Sequence, residues 1–313
     1  MLDEDILVIG SSDENYARHL AVAFVSLLMN TTRPERVKLY CIDGGVSKKT
    51  RHFMRNAISG LGGSLDFIPI DDALYSELDT IKHITRAAYY RISIPNLVGD
   101  TVKKVIYLDC DTIVKGDVAD LWGVDLGDHY VAAVENMSAH TYEKSGLAQE
   151  DYFNSGVLVL NLQAWRDDDV PSRVIEFKKL YPDRISTNDQ CALNGVIEGR
   201  WKRLPLKWNQ QTGVYRSSDQ VDRFPDDEVE QARQMPAIIH YIGEDKPWNQ
   251  VCFHPFQGEY WRYAEVIGMR PPAGMRLAVL RSSLTSFSRL KKFLRKWARQ
   301  RSLRNAGVSL YRL

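Results

Sequence analysis

The sequence predicts an α/β fold with a mostly parallel central sheet flanked by helices, followed by a basic helical tail. Three observations predict it. Apolar strand-like runs alternate with helical patterns over the first seventy residues. A strong apolar run at 104–109 ends in acidic residues. The charge balance inverts after Glu265, the last acidic residue of the chain.

Residues 6–10 (Ile-Leu-Val-Ile-Gly) read as a buried strand bounded by turn residues. A helix is expected at about 16–29, with Asp13 or Asn15 placed to cap it. Residues 37–43 read as a second strand, 47–60 as a helix with basic outer positions, and 64–70 as a third strand. This alternation implies parallel strands covered by helices on both faces. Further strands are expected at 104–109, 131–135 and 155–162, and helices at 171–180 and 188–197. No repeat or low-complexity linker interrupts residues 1–265, so they read as one domain, with 266–313 as the tail.

In open α/β sheets ligands bind outside the carboxyl ends of the strands. The residues after 6–10, 104–109 and 155–162 are therefore the expected site. A dinucleotide-binding fold needs G-x-G-x-x-G between strand and helix, and Gly10-Ser11-Ser12-Asp13-Glu14-Asn15 lacks it. A sugar-phosphate nucleotidyltransferase would carry a Gly-rich basic loop there, where this chain is acidic.

The 313 residues are 44% hydrophobic and 26% charged, ordinary for a globular chain, with a formal net charge of +1. That neutrality hides 29 basic against 40 acidic residues up to Glu265, then twelve Lys or Arg with no Asp or Glu. Such a tail suggests an anionic partner of its own. Cys41, Cys110, Cys191 and Cys252 are widely spaced; three lie in apolar surroundings and read as buried free thiols, implying a reducing compartment. The acidic start lacks the basic opening of a signal peptide, and no apolar run reaches the ~18–20 residues that span a bilayer. A cytoplasmic protein, peripheral on the inner face of the cytoplasmic membrane, is the expectation.

Asp109-Cys110-Asp111 directly follows Val105-Ile106-Tyr107-Leu108. Residues two apart in extended backbone face one side, so both carboxylates can converge at a strand's end. Held together they repel unless a cation neutralises them, and oxygen ligands suit Mn²⁺ or Mg²⁺. The same spacing recurs at Asp167 and Asp169, where no strand leads in, and there it reads as a solvated helix start.

Six motifs in order then resemble the retaining glycosyltransferases of family eight, which include glycogenin and bacterial lipopolysaccharide and lipooligosaccharide galactosyl- and glucosyltransferases. The resemblance covers about residues 5–265. Ser12-Asp13-Glu14-Asn15-Tyr16 is similar to the family segment at the donor's uridine and ribose, which implies Asp13, Asn15 and Tyr16 there. His83-Ile84-Thr85-Arg86-Ala87-Ala88-Tyr89-Tyr90-Arg91 resembles the segment whose arginine reaches the donor, placing Arg91. Tyr107-Leu108-Asp109-Cys110-Asp111-Thr112 resembles the D-x-D metal motif, with Asp109 also at the donor. Phe153-Asn154-Ser155-Gly156 resembles F-N-[AS]-G, implying Asn154 and Ser155 near the donor sugar. Asn188-Asp189-Gln190 resembles the D-Q segment at the reacting face, with Asp189 on donor hydroxyls and Gln190 near the anomeric carbon. His240-Tyr241-Ile242-Gly243-Glu244-Asp245-Lys246-Pro247-Trp248 matches H-[FY]-x-G-x-x-K-P-W, with His240 as third metal ligand, Gly243 in the donor loop and Lys246 on the diphosphate. Asn136 falls where some relatives have an aspartate near the sugar, which leaves both galactose and glucose as donors.

The resemblance implies a single nucleotide-binding domain of the GT-A type. It implies a Mn²⁺- (or Mg²⁺-) dependent hexosyltransferase that retains configuration, with a UDP-sugar and a glycan acceptor as partners. A non-catalytic UDP-binding scaffold on membranes is the competing reading, disfavoured because the motif residues are intact. In the tail, Leu280, Leu284, Phe287, Leu290, Leu294 and Trp297 recur at steps of three and four among cations over 276–304. One basic amphipathic helix is expected there, suited either to an anionic membrane surface or to packing on the domain. Nucleic acid is disfavoured as its partner, because the chain carries no recognised nucleic-acid-binding motif.

Overall fold

The computed structural model describes residues 5–71, 86–137, 141–215 and 221–311. His83, Ile84 and Thr85 of the second motif lie outside them.

The first half follows the expected alternation. Strand β1 (Ile6–Ser12) leads to helix α1 (Ala17–Asn30), β2 (Val37–Asp43), α2 (Lys48–Ser59) and β3 (Ser64–Pro69). Ser47 caps α2 by accepting from the Thr50 amide, which supplies a partner for one of the helix's free N–H groups. A short α3 (Ile94–Leu97) precedes β4 (Lys104–Leu108), β5 (Thr112–Val114), α4 (Val118–Trp122) and β6 (Val131–Glu135). Next come β7 (Phe153–Asn161), α5 (Leu162–Asp167), α6 (Val170–Leu180), α7 (Asn188–Ile197), β8 (Trp201–Arg203), α8 (Asp226–Gln234), β9 (Ile238–His240) and α9 (Gln257–Val266).

Seven strands form one sheet in the order β3-β2-β1-β4-β7-β6-β8. Pairings on the β3-to-β4 side are parallel, while β7 runs antiparallel to both β4 and β6. The central strands β1, β4, β7 and β6 are buried on both faces, which is why they read as continuous apolar runs. Ile106, Leu108, Val157 and Val159 enter one core cluster with α1, whereas Val105, Tyr107, Leu158 and Leu160 enter the other with residues of α6 and α7.

The direction of β7 corrects one expectation. Lys104 pairs with Asn161, and Leu108 with Val157. The residues after β7 therefore lie at the wrong end of the sheet, and it is the start of β7 that meets the carboxyl end of β4. Asn154, Ser155 and Gly156 arrive beside Asp109, whose amide donates to the Gly156 carbonyl at 2.8 Å.

A second, two-stranded sheet pairs β5 with β9, with Thr112 opposite His240. The Tyr241 amide donates to the Asp111 carbonyl at 3.0 Å. This pairing carries the sixth motif to the third.

The tail is two helices rather than one: α10 (Met275–Ser283) and α11 (Phe287–Asn305). Ser286 ends the continuity, because its hydroxyl accepts from the Arg289 amide and caps a new helix. From α11, Lys296 donates to the Cys252 carbonyl (2.8 Å) and Gln257 Oε1 (2.7 Å), Arg299 to the Tyr215 carbonyl (2.7 Å), and Gln300 to the Pro255 carbonyl (2.9 Å). With buried Leu303 these residues make one stripe that packs on the rest of the chain. No helix among the described residues is long and apolar enough to cross a membrane.

Candidate metal and donor site

Asp109 and Asp111 follow β4, and His240 ends β9. One ligand atom from each lies within 4.8 Å of the other two. His240 Nε2 is 3.2 Å from Asp111 Oδ1 and 3.9 Å from Asp109 Oδ2. Its other ring nitrogen, Nδ1, is 2.9 Å from Asn209 Oδ1. Asp111 Oδ1 is buried and has no hydrogen-bond partner among the described residues. An oxygen so placed is costly unless a cation takes its lone pair, and two carboxylates with one imidazole are a fitting donor set.

Gly156 makes room for this centre. A Cβ there would lie 2.1 Å from His240 Cε1 and 2.9 Å from Asp109 Oδ2. The family-like F-N-S-G run thus ends in a residue that only glycine can supply.

Lys246 Nζ binds Asp111 Oδ2 and the Tyr241 carbonyl. Burial works to raise the Asp111 carboxyl, but Lys246 and His240 overturn it and hold it well below the usual carboxylate range. Burial would likewise lower Lys246, and Asp111 outweighs it to keep the ammonium charged. A fixed cation beside a metal-ligand carboxylate suits an incoming diphosphate.

Arg91 is 3% exposed. Its guanidinium donates to Asp109 Oδ1 (2.9 Å), Asp189 Oδ2 (3.0 Å) and the Ser155 carbonyl, and lies over the Tyr107 ring. It therefore ties the third, fourth and fifth motifs together. Tyr107 adds a hydrogen bond of its own to Asp109 Oδ1 at 3.0 Å. Asp189 opens α7 and is pushed up to about 6 by burial, with Arg91 opposing and Asp109 adding to the rise. Beside it, Gln190 Oε1 accepts from the Ser155 amide (3.1 Å) and Asn154 Nδ2 (3.2 Å). Asn136 joins through Asn154 Nδ2 at 3.4 Å.

The structure thus brings Arg91, Asp109, Asp111, Asn136, Asn154, Ser155, Asp189, Gln190, His240 and Lys246 into one contact network. The first motif stands at its edge. Asp13 Oδ1 accepts from the amides of Asn15 (2.9 Å) and Tyr16 (3.1 Å), a turn that starts α1, and Asn15 is exposed. The Tyr16 ring meets Trp248 edge-on, and Trp248 stacks on His19 at 3.7 Å, which joins this edge to the Lys246 loop. Gly243 lies exposed in that loop with φ of 76°. Asp167 and Asp169 are remote from the centre in role: Asp169 is the exposed residue that precedes α6.

Asn209 was not foreseen. It belongs to Trp208-Asn209-Gln210-Gln211, where three amides follow a tryptophan and all three are fully buried. A run of amides directly after apolar Leu206 and Trp208 is the signal that could have found it.

The profile of the Glycosyl transferase family 8 matches residues 7–252. General stress protein A of Bacillus subtilis is 36% identical over 267 residues, 83% of this chain and 93% of that protein. The crystal structure of the galactosyltransferase LgtC in complex with donor and acceptor sugar analogues superposes with a TM-score of 0.73 at 26% identity, covering 87% of this chain and 100% of that one. The glycosyltransferase GlyE of Streptococcus pneumoniae superposes with a TM-score of 0.63 at 25% identity, covering 89% of this chain and 64% of GlyE. Fold and site together define a glycosyltransferase of the GT-A type. The chain belongs to glycosyltransferase family 8.

Proposed function

We propose that this glycosyltransferase is a Mn²⁺-dependent, configuration-retaining hexosyltransferase that moves galactose or glucose from a UDP-sugar to a glycan acceptor. The acceptor is a glycolipid, a lipopolysaccharide core or a glycoprotein glycan. The observation that carries the reading is the Asp109–Asp111–His240 triad with charged Lys246 on one of its carboxylates. A metal between carboxylates and an imidazole favours Mn²⁺ over Mg²⁺, because imidazole is the softer ligand. The likeness to LgtC, described with donor and acceptor sugar analogues, supports a sugar donor and acceptor.

Asp109, Asp111 and His240 would hold the cation, which would supply positive charge for a departing diphosphate. Lys246 adds a second positive charge on that side. Asp13, Asn15 and Tyr16 take the uridine and ribose, and Gly243 closes the loop near the phosphates. Asn136, Asn154, Ser155 and Asp189 face the sugar, and Arg91 keeps Asp189 and Asp109 in register.

Retention by double displacement needs a nucleophile on the sugar's far face. Gln190 Oε1 is occupied by donors from two residues, Ser155 and Asn154, and the nearby carboxylate, Asp189, is held by Arg91. A front-face route fits better: the acceptor oxygen bonds to the anomeric carbon as the bond to UDP breaks, and its proton passes to a phosphate oxygen of the leaving group. The exposed face of the tail then rests on an anionic membrane surface, at the cytoplasmic side, where lipid-linked acceptors lie.

UDP release from a panel of UDP-sugars, with Mn²⁺, with EDTA, and in Asp111→Ala, tests this. One donor should be hydrolysed or transferred in a Mn²⁺-dependent way, and the variant should lose about 100-fold or more. Equal turnover in EDTA, or an inverted product, would overturn it.

A further inference from the structure

We infer that Asn209 is a positioning residue that fixes the ring tautomer of His240 and couples the metal centre to the sugar-facing amides. The inference rests on the metal-site reading above, but its structural part stands apart from any substrate.

Two groups in the site have unambiguous roles. A backbone N–H can only donate. The Gly156 amide lies 3.1 Å from one side-chain atom of Asn154, so that atom is the carbonyl oxygen, Oδ1. The Ser155 amide lies 3.1 Å from one side-chain atom of Gln190, so that atom is also an oxygen, Oε1. Side-chain amides are ambiguous on their own, but these contacts remove the ambiguity.

The rest follows in order. Asn209 approaches the same Asn154 Oδ1 at 2.8 Å and must present its NH₂ group there. Its own oxygen then faces His240 Nδ1 at 2.9 Å. That nitrogen must carry the ring proton, which leaves the lone pair on Nε2, the atom turned toward Asp109 and Asp111. On the other side, Asn154 Nδ2 donates to Gln190 Oε1 at 3.2 Å. The chain His240→Asn209→Asn154 is therefore directional, and Asn154 is its branch point to Gln190. All four residues are buried, Asn209 at 0% exposure, so water offers no substitute partner. A wrong tautomer would set two donors or two acceptors face to face at one link, which is unfavourable in a site that water does not reach. Metal-binding histidines are held in this way by an acceptor on their other nitrogen, and loss of that acceptor weakens metal affinity about 10–100-fold.

The test uses the full chain. In metal-free protein, nitrogen-15 NMR of the histidine rings at mildly alkaline pH should show His240 protonated at Nδ1, and Asn209→Leu should mix the two tautomers. Titration with Mn²⁺ in the presence of UDP should show ~10–100-fold weaker Mn²⁺ binding in Asn209→Leu. Asn209→Asp keeps an acceptor for Nδ1 and should hold Mn²⁺ affinity within a few-fold. It replaces the donor to Asn154 with an oxygen, so its sugar turnover should fall while Mn²⁺ binding persists. If Asn209→Leu does not fold, the wild-type tautomer and the Asp variant decide. An Nε2-protonated His240 in the wild type, or Mn²⁺ binding in folded Asn209→Leu equal to wild type, overturns the inference. Correct tautomers with no turnover of any UDP-sugar would instead overturn the functional reading and leave Asn209's role intact.

Discussion

The candidate metal centre and the C-terminal tail are both charged regions, and they are built on opposite terms. At the centre, polar groups are taken out of water and most are held by protein partners; Arg91 alone binds Asp109, Asp189 and the Ser155 carbonyl. In the tail most charges stay in water, and α11 touches the protein through one stripe, where Lys296 and Arg299 turn inward. Burial makes an unpartnered charge costly, so an interior polar site tolerates few arrangements. A solvated helix face tolerates many. The first region should therefore fail sharply when one atom is added or removed, and the second by degrees.

The largest effect is expected at Gly156. Its φ is not in the left-handed region, so the constraint is space alone. Gly156→Ala places a methyl 2.1 Å from His240 Cε1, and either the ring or the start of β7 must move. Mn²⁺-dependent UDP binding should fall about 100-fold or more, because ligands must sit within a few tenths of an ångström of their places. Gly10→Ala is the matching control. Its added methyl meets the flexible end of Leu20 at 2.5 Å and the Leu108 carbonyl at 3.2 Å but no ligand side chain, so it should lower the melting temperature while weakening UDP binding far less than Gly156→Ala. Equal loss of binding in both would mean that the site responds to general destabilisation, and the contrast drawn here would collapse.

The same contrast governs what could be read from the sequence. The strand ending at Leu108 and its acidic pair were legible because continuous apolar residues must be buried and the charges that follow must be neutralised. The helix starts near Asp13 and Asn188 were legible from local chemistry. The reversal of β7 was not, because an apolar strand buried on both faces has the same composition in either direction. The short β5–β9 pair was also hidden: three-residue strands carry no periodicity, and only their pairing places His240 beside Asp111. Asn209 was hidden for a related reason, since an amide's importance lies in which donors face it. In the tail, the apolar stripe was legible, but the break at Ser286 and the inward turn of Lys296 depend on the surface that α11 meets.

Lys296 is the tail's link to the site. Its ammonium orients Gln257, whose amide group approaches the Pro247 carbonyl at 3.4 Å; Trp261 Nε1 binds the same carbonyl at 3.0 Å. Pro247 follows Lys246 directly. Lys296→Met keeps the packing stem and removes two charge-assisted hydrogen bonds, about 1.5–3 kcal/mol each at most. UDP affinity should fall by roughly 3–10-fold with a melting temperature lower by several degrees. Lys292→Met, on an exposed position of the same helix, should change neither. Unaltered UDP affinity in a Lys296→Met protein that shows the lower melting temperature would confine α11 to a purely structural role.

The smallest effect on the folded protein is expected on the outer stripe of the tail. Phe287 is 71% exposed, Leu294 52% and Trp297 53%, and exposed Lys291, Lys292 and Arg295 lie between them. Replacing the three apolar residues with serine removes no fully buried side chain, so melting temperature should change little and UDP affinity should stay within error. Binding to vesicles containing anionic lipid should fall by about 10-fold or more, since inserted apolar side chains each contribute about 1.5–3 kcal/mol when fully buried. Added salt should weaken the remaining attachment through the cations. Lys296→Met should give the reverse result, with weaker UDP binding and unchanged vesicle binding. If the serine variant binds vesicles as the wild type does, the outer stripe is not a lipid-facing surface. The two faces of α11 would then have to be explained by the domain alone, and the gradient from a sharply failing interior to a gradually failing surface would lose its outermost member.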